Sequence, residues 1–270
     1  MGKVPILFRY PGGKFYALKL LSEFWNAVPH GEYREPFVGG GSVFFAKQKV
    51  ETNWLNDLDE ELITTYKNVK SPRSRKKLIA SFKNEVANKE RWREVFESET
   101  KDDYEVAKKY YYLNRTSFSG KLVSPAWGYR EKRSLPPERW HERLGPCGEK
   151  LKDVKLTSLD FEKVIKAKSD KEVLLFVDPP YFKPKKKKHY RHGFTSEDHI
   201  RLASTLKLTK HKFFLTYEDC EEVRELYKWA NIHEVKFFYR VDNSNIENGS
   251  RKMGFELIIT NYEIPKTTLF

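Results

Sequence analysis

The chain has 270 residues, 39% hydrophobic and 15% aromatic, which excludes a disordered polyelectrolyte and allows one large α/β domain, alone or carrying a smaller insertion. Its 51 Lys and Arg against 38 Asp and Glu leave a formal charge of +13, a balance that suits a polyanionic partner such as nucleic acid. Cys147 and Cys220 stand alone, with no CxxC and no His cluster, and no 18-residue apolar run occurs, so a disulfide framework, a metal site, a membrane span and a standard secretory leader are not expected and a reducing cytoplasm is.

In chain order, a short apolar run from Pro5 to Phe8 meets a Pro-Gly-Gly turn, and Phe15 to Trp25 has the spacing of an amphipathic helix. A brief strand ending at Phe37 leads into Gly39 to Gly41 and a predicted helix from Ser42 to Lys49. A second strand is predicted over Thr52 to Leu55, followed by a helix over Glu60 to Val69. From about Ser71 to Leu144 the chain is rich in Arg, Lys, Tyr and Trp, helical over Arg73 to Leu113 and then irregular through Gly120, Pro125, Gly128, Pro136 and Pro137. Strand and helix then alternate: Lys155 to Thr157, Phe161 to Lys166, Val173 to Val177, Ser196 to Leu206 and Lys212 to Thr216. Alternation of this kind predicts a largely parallel sheet, and the β-rich runs Glu234 to Val241 and Phe255 to Tyr262 predict a long antiparallel pair at its end.

The sharpest chemical signal is Asp178-Pro179-Pro180-Tyr181, directly after the apolar run Val173 to Val177. Ligands of open α/β sheets bind beyond the carboxyl ends of the strands, where this tetrapeptide falls. Its prolines stiffen the backbone and remove two donors, leaving carbonyl oxygens and a carboxylate as acceptors. An amino group on an aromatic ring fits such a site, with Tyr181 as a stacking face. Accepting the hydrogens of that amine frees its lone pair for attack on an electrophilic methyl group.

The second signal is Glu35-Pro-Phe-Val-Gly-Gly-Gly-Ser42, in which glycines let the backbone approach a ligand closely. Asp57 follows Gly39 by 18 positions, the spacing at which Rossmann-like units place an acid for ribose hydroxyls. The pair points to an adenosine-containing cofactor, although the glycines do not follow the GxGxxG order of a dinucleotide site.

Together with Phe8-Arg-Tyr-Pro-Gly-Gly-Lys14, Asn56 to Ile63, Leu113 to Gly120, Leu159 to Phe161, Gly193 to His199 and Glu256 to Tyr262, these motifs resemble, in content and order, the Dam-type, alpha-class adenine-N6 DNA methyltransferases. The resemblance implies a Rossmann-like S-adenosylmethionine-dependent sheet with helices on both faces and an inserted, mostly helical target-recognition domain. Residues 1–70 and 151–270 would form the catalytic domain and 71–150 the DNA-recognition domain. It implies S-adenosylmethionine as cofactor, bordered by Tyr10, Lys14, Phe37, Gly39, Gly40, Asp57, Asp160, Phe161 and Asp178. The target adenine would be extruded from double-stranded DNA and held by Asp178, Pro179, Pro180 and Tyr181. No metal is called for, because a sulfonium already makes its methyl group electrophilic.

DNA contacts are expected from Arg9, Arg115, Lys121, Trp127, Tyr129 and Arg130, cations and aromatics suited to phosphates and base edges. Lys185, Lys186, Lys187 and Lys188 follow the catalytic motif and are expected to close over the displaced strand; as a bare charge run they read equally as a solvated loop. Tyr110 to Tyr112 and Trp140 read as core, and His189, His192 and His199 as solvent or helix-end histidines. Pro125-Ala-Trp-Gly-Tyr129 departs from the usual hairpin pattern of GATC enzymes, so the expected site is GATC or a related short sequence, in a restriction-modification, phage or regulatory setting with a cognate endonuclease that need not bind this chain. Methylation of cytosine N4, RNA or protein glutamine, a silent nucleic-acid-binding module, and a nucleotide-dependent oxidoreductase are the competing readings.

Overall fold

The computed structural model describes residues 4–10, 12–182, 193–238 and 253–264. Its strands are β1 (Glu32–Glu35), β2 (Thr52–Asn56), β3 (Lys155–Thr157), β4 (Val173–Val177), β5 (Lys212–Glu218), β6 (Asn231–Phe238) and β7 (Met253–Thr260). They form a seven-stranded sheet in the order β3-β2-β1-β4-β5-β7-β6. All pairings from β3 to β5 are parallel, and β7 runs antiparallel between β5 and β6. This is the Rossmann-like sheet expected from the sequence, its antiparallel pair included.

The helices are α1 (Leu18–Asn26), α2 (Ser42–Ala46), α3 (Glu60–Lys70), α4 (Pro72–Phe82), α5 (Lys89–Glu97), α6 (Asp103–Thr116), α7 (His141–Lys150), α8 (Phe161–Lys166), α9 (Ser196–Leu208) and α10 (Glu221–Leu226). Side chains alternate across a strand, so successive residues of β4 enter two different cores. Leu174 and Phe176 join Leu21, Phe44, Tyr66 and Tyr111 on one face, while Val173, Leu175 and Val177 join Ile165, Leu202 and Val223 on the other. Both faces of β4 are therefore covered, and all five of its residues are buried. The unbroken apolar run Val173 to Val177 is the signature of such a strand.

Helices α4, α6 and α7 dock through the first of these cores: Leu78, Phe82, Tyr110, Tyr112, Trp140 and Leu144 pack in one cluster with Phe8, Leu55 and Val69. Tyr110 to Tyr112 and Trp140 are at most 3% exposed, as their reading as core requires.

Local chemistry explains where the elements depart from the predicted bounds. Strand β1 stops at Glu35 rather than Phe37 because Pro36 has no N–H for the ladder. Helix α2 ends at Ala46, three residues before the predicted Lys49, where Lys150 Nζ donates to the carbonyls of Phe45 and Lys47 at 2.9 and 2.6 Å. Its N-cap is Gly41, with φ at 65°, and Ser42 provides no capping bond. Helix α7 was unexpected in a stretch holding Gly145, Pro146 and Gly148; the burial of Leu144 and Cys147 on its inner face outweighs those breakers.

Candidate active site

The carboxyl ends of β1, β2, β3, β4 and β5 share one edge of the sheet, and the register Arg34↔Leu175 puts the segment after β1 beside the segment after β4. The strand order reverses between β1 and β4, the position at which open α/β sheets bind ligands. The glycine segment, Asp57, the Asp160-Phe161 pair and the Asp178 tetrapeptide all lie at that edge.

The glycine segment is fixed by hydrogen bonds. Gly39 donates its N–H to Asp57 Oδ2 at 2.9 Å, and Tyr66 donates its hydroxyl to the Gly39 carbonyl at 2.9 Å. Gly39 has φ at +45°, and a Cβ there would stand 3.0 Å from the Tyr10 ring, so both the turn and the seat of Tyr10 demand glycine. Asp57 Oδ1 accepts the Asp59 N–H at 3.1 Å, so its two oxygens hold the backbone on either side of the turn.

Asn56 ties this edge of the sheet together. Its Nδ2 donates to the carbonyls of Pro36 and Leu159 at 3.0 and 2.8 Å, and its Oδ1 accepts the Thr157 hydroxyl and the Leu159 N–H at 2.7 and 2.8 Å. One buried amide thus sets the distance between the glycine segment and Phe161. The Phe161 ring packs with Phe37 and Phe194 at centroid distances of 5.5 and 5.8 Å, and the Arg201 guanidinium lies 4.3 Å over its centroid. Asp160 caps α8 through the Glu162 N–H at 2.9 Å and pairs with Arg201 at 2.9 Å. Phe37, expected to border the cofactor, accordingly sits in the same aromatic cluster as Phe161.

At the end of β4, Asp178 Oδ1 takes two donors, the Thr216 hydroxyl at 2.7 Å and Lys14 Nζ at 2.8 Å. Lys14 Nζ also donates to the Tyr181 hydroxyl at 2.9 Å, and that hydroxyl donates to Glu256 Oε1 at 2.6 Å. Lys14 and Glu256 are 6% and 3% exposed, so this chain of contacts is weakly screened. The 3-10 turn Lys14–Ala17 thereby brings the N-terminal Gly-Gly-Lys motif onto the Asp178-Pro-Pro-Tyr motif. Nearby, Glu35 is fully buried with its carboxyl pushed up to about 8 by that burial, and it accepts the Tyr33 hydroxyl at 2.7 Å.

Glu256, Thr216 and Asn56 were missed as site residues. Asn56 and Glu256 lay inside motifs noted in the sequence, but neither periodicity nor spacing reveals that Glu256, far along the chain, faces Tyr181. His199, read as a helix-end residue, is indeed in the first turn of α9, but it is buried against Phe182, Phe194 and Tyr217 rather than in solvent.

On the recognition side, Arg9 and Asn114 exchange bonds: the Arg9 N–H donates to Asn114 Oδ1 at 2.9 Å, and Asn114 Nδ2 donates to the Arg9 carbonyl at 2.7 Å. Residues 117–128 close on themselves through an antiparallel bridge between Ser117 and Trp127 and the bonds Phe118 N–H to Ala126 carbonyl and Gly128 N–H to Thr116 carbonyl. Trp127 and Tyr129 are 5.9 Å apart and border, with Asn88, Lys89 and Arg130, a cleft of about 540 Å³. Lys121 is half-buried and Arg130 exposed. Lys185 to Lys188 lie outside the described residues.

The family model for D12 class N6 adenine-specific DNA methyltransferases matches residues 10–241. The chain belongs to that family. As an adenine-specific DNA methyltransferase it is similar to the Type II methyltransferase M.CviBI of Paramecium bursaria Chlorella virus NC1A, at 27% identity over 95% of this chain and 99% of that one. The Type II methyltransferase M1.LlaDCHI of Lactococcus lactis subsp. cremoris is 28% identical over 94% of each chain. The DNA N-6-adenine-methyltransferase of Escherichia phage P1 is 28% identical over 87% of this chain and 32% of its own length. No helix among the described residues of the methyltransferase is long and apolar enough to cross a membrane.

Proposed function

We propose that the enzyme transfers a methyl group from S-adenosylmethionine to the exocyclic amine of an adenine extruded from duplex DNA, with the Asp178 site as the reaction centre. The observation that carries the reading is the arrangement around Asp178: Thr216 and Lys14 both engage Oδ1, which leaves Oδ2 as the acceptor offered to an entering amine.

Gly39, Gly40, Tyr10, Lys14, Phe37, Asp57, Asp160, Phe161 and Asp178 are the residues proposed to hold the cofactor. The chemistry of the edge fits it, since Asp57 is a half-buried carboxylate suited to ribose hydroxyls, while Phe161, buried under Arg201 with Phe37 and Phe194, contributes an apolar floor. When bound, S-adenosylmethionine supplies a methyl group activated by its own sulfonium. Asp178 Oδ2 and the carbonyls of the Pro179-Pro180 backbone accept the amine hydrogens and orient the nitrogen lone pair; the proton that the nitrogen sheds passes to Asp178 or to water. Tyr181 stacks on the extruded base and offsets part of the unstacking cost of a few kcal/mol.

Residues 71–150 serve as the target-recognition part, with Arg9, Arg115, Lys121, Trp127, Tyr129, Arg130 and Lys185 to Lys188 toward the DNA. The recognised site is GATC or a related short sequence, in the cytoplasm, and the setting is restriction-modification with a cognate endonuclease that need not bind this chain; the Type II names of two relatives support the setting alone. Incubating the protein with a mixed-sequence duplex and labelled cofactor, followed by digestion to nucleosides, tests the reading. N6-methyladenine is expected; label in cytosine, or in RNA or protein alone, contradicts it.

A further inference from the structure

We propose that Arg9, Arg115 and Arg143 form a seat for one backbone phosphate of the bound DNA, next to the base that is methylated. The inference rests on the reading of the chain as a duplex-DNA methyltransferase and adds to it a site and a residue, Arg143, that neither the motifs nor the charge pattern single out.

The three arginines come from three separate elements. Arg9 lies in the N-terminal segment, Arg115 in the last turn of α6 and Arg143 in the first turn of α7. Hydrogen bonds hold them together: Arg9 Nη1 donates to the Arg115 carbonyl at 3.2 Å, and Arg143 Nη1 donates to the Ile6 carbonyl at 2.6 Å. The two-way bond between Arg9 and Asn114 fixes the backbone from which Arg9 extends.

Their charge is unusual for their burial. Buried charges are normally paired, and the chain obeys that rule elsewhere: Arg34 pairs with Glu32 at 2.7 Å and Arg75 pairs with Glu149. Arg115 is 6% exposed, yet among the described residues no carboxylate lies within ion-pair distance of Arg115, Arg9 or Arg143. Three polar atoms in the cluster also lack hydrogen-bond partners, namely Arg115 Nε, Arg143 Nε and the Tyr111 hydroxyl. Burial and the neighbouring cations Arg143 and Arg9 lower Arg115 to about 10, although Tyr111 partly opposes them, which marks the spot as short of negative charge.

An anion that takes N–H donors from planar forks offsets the missing negative charge, and a phosphate diester does so with two oxygens at the half-buried Arg9 and Arg143, with Arg115 behind them. The location selects the DNA backbone. Arg9 is in the same short segment as Lys14, which is bonded to Asp178, and Arg115 is within electrostatic range of Tyr129 at the recognition cleft. The seat therefore bridges the reaction centre and the recognition segment.

The test compares wild type with Arg143→Gln and Arg115→Gln in duplex binding across a salt series, with S-adenosylmethionine affinity as the control. Each variant is expected to bind DNA about tenfold more weakly, to show a smaller salt slope than wild type by less than the roughly 0.9 of a whole phosphate contact, and to bind the cofactor as wild type does. A duplex scanned with single uncharged methylphosphonate linkages around the methylated adenine should weaken wild-type binding at one linkage and weaken the Arg143→Gln variant less at that same linkage. Should Arg143→Gln fail to fold, the same scan with wild type and Arg115→Gln decides. Folded variants with wild-type affinity, slope and linkage sensitivity overturn the seat while leaving methylation intact; a wild type that neither binds nor methylates DNA overturns the functional reading instead.

Discussion

The Tyr181 hydroxyl stands between a cation and an anion, accepting from Lys14 Nζ at 2.9 Å and donating to Glu256 Oε1 at 2.6 Å. Two buried charged groups fix the position of that hydroxyl, and with it the axis of the ring on which the base is proposed to stack. Glu256→Ala is therefore expected to slow single-turnover methyl transfer by about 10- to 100-fold through misplacement of the base, with cofactor affinity within about twofold of wild type. Glu256→Gln, which keeps an acceptor oxygen, should recover most of the rate. Equal losses in cofactor binding and rate would make Glu256 a structural residue only.

Gly120 controls the approach of the recognition segment to the N-terminal motif. Its φ is +70°, and a Cβ would lie 2.2 Å from the Arg9 carbonyl oxygen, against backbone that Asn114 holds in place. Gly120→Ala should cost about 1–3 kcal/mol of stability. DNA affinity should fall more than cofactor affinity, because Arg9 and the 117–128 segment are displaced while the glycine segment is not. Thermal unfolding and the two binding measurements check this; an unchanged DNA affinity in a folded variant would contradict it.

Stability on the acid side should follow His199. Burial against Phe182, Phe194 and Tyr217 pushes the imidazole down to about 4 from its ordinary 6.5, so the folded protein keeps it neutral where the unfolded chain takes up a proton. The stabilisation is present above about pH 6.5 and is lost as the pH falls toward 4, with about 2 kcal/mol gone at pH 5. Urea unfolding of wild type and His199→Asn at pH 7 and pH 5 measures it: the wild type should lose about that much more than the variant. Parallel losses would show that His199 does not titrate in this window.

The parts legible in the sequence were those that a local pattern determines. The run Val173 to Val177 announces a strand covered on both faces, Asp178-Pro-Pro-Tyr falls at its carboxyl end, and Gly39 and Asp57, paired by their spacing as a cofactor signal, prove to be bonded to each other. What escaped depends on the sheet's closure. Glu256 reaches Tyr181 only because β7 pairs antiparallel with β5, and Thr216 reaches Asp178 only because β5 neighbours β4. Helix α7 escaped for the opposite reason: its glycines and proline argue locally for a turn, and tertiary burial of Trp140, Leu144 and Cys147 overrides them. Arg143, on that helix, was hidden with it.

Asp178 is the residue on which the account turns, and the most direct measurement is single-turnover transfer of labelled methyl to duplex adenine by wild type and Asp178→Ala, alongside cofactor binding by each. The account predicts N6-methyladenine from the wild type and a loss of at least about 1,000-fold in the variant, since its main acceptor for the amine is gone, with cofactor affinity falling far less than the rate because the glycine segment and Asp57 remain. Methyladenine formed by Asp178→Ala at a rate near that of the wild type would contradict it.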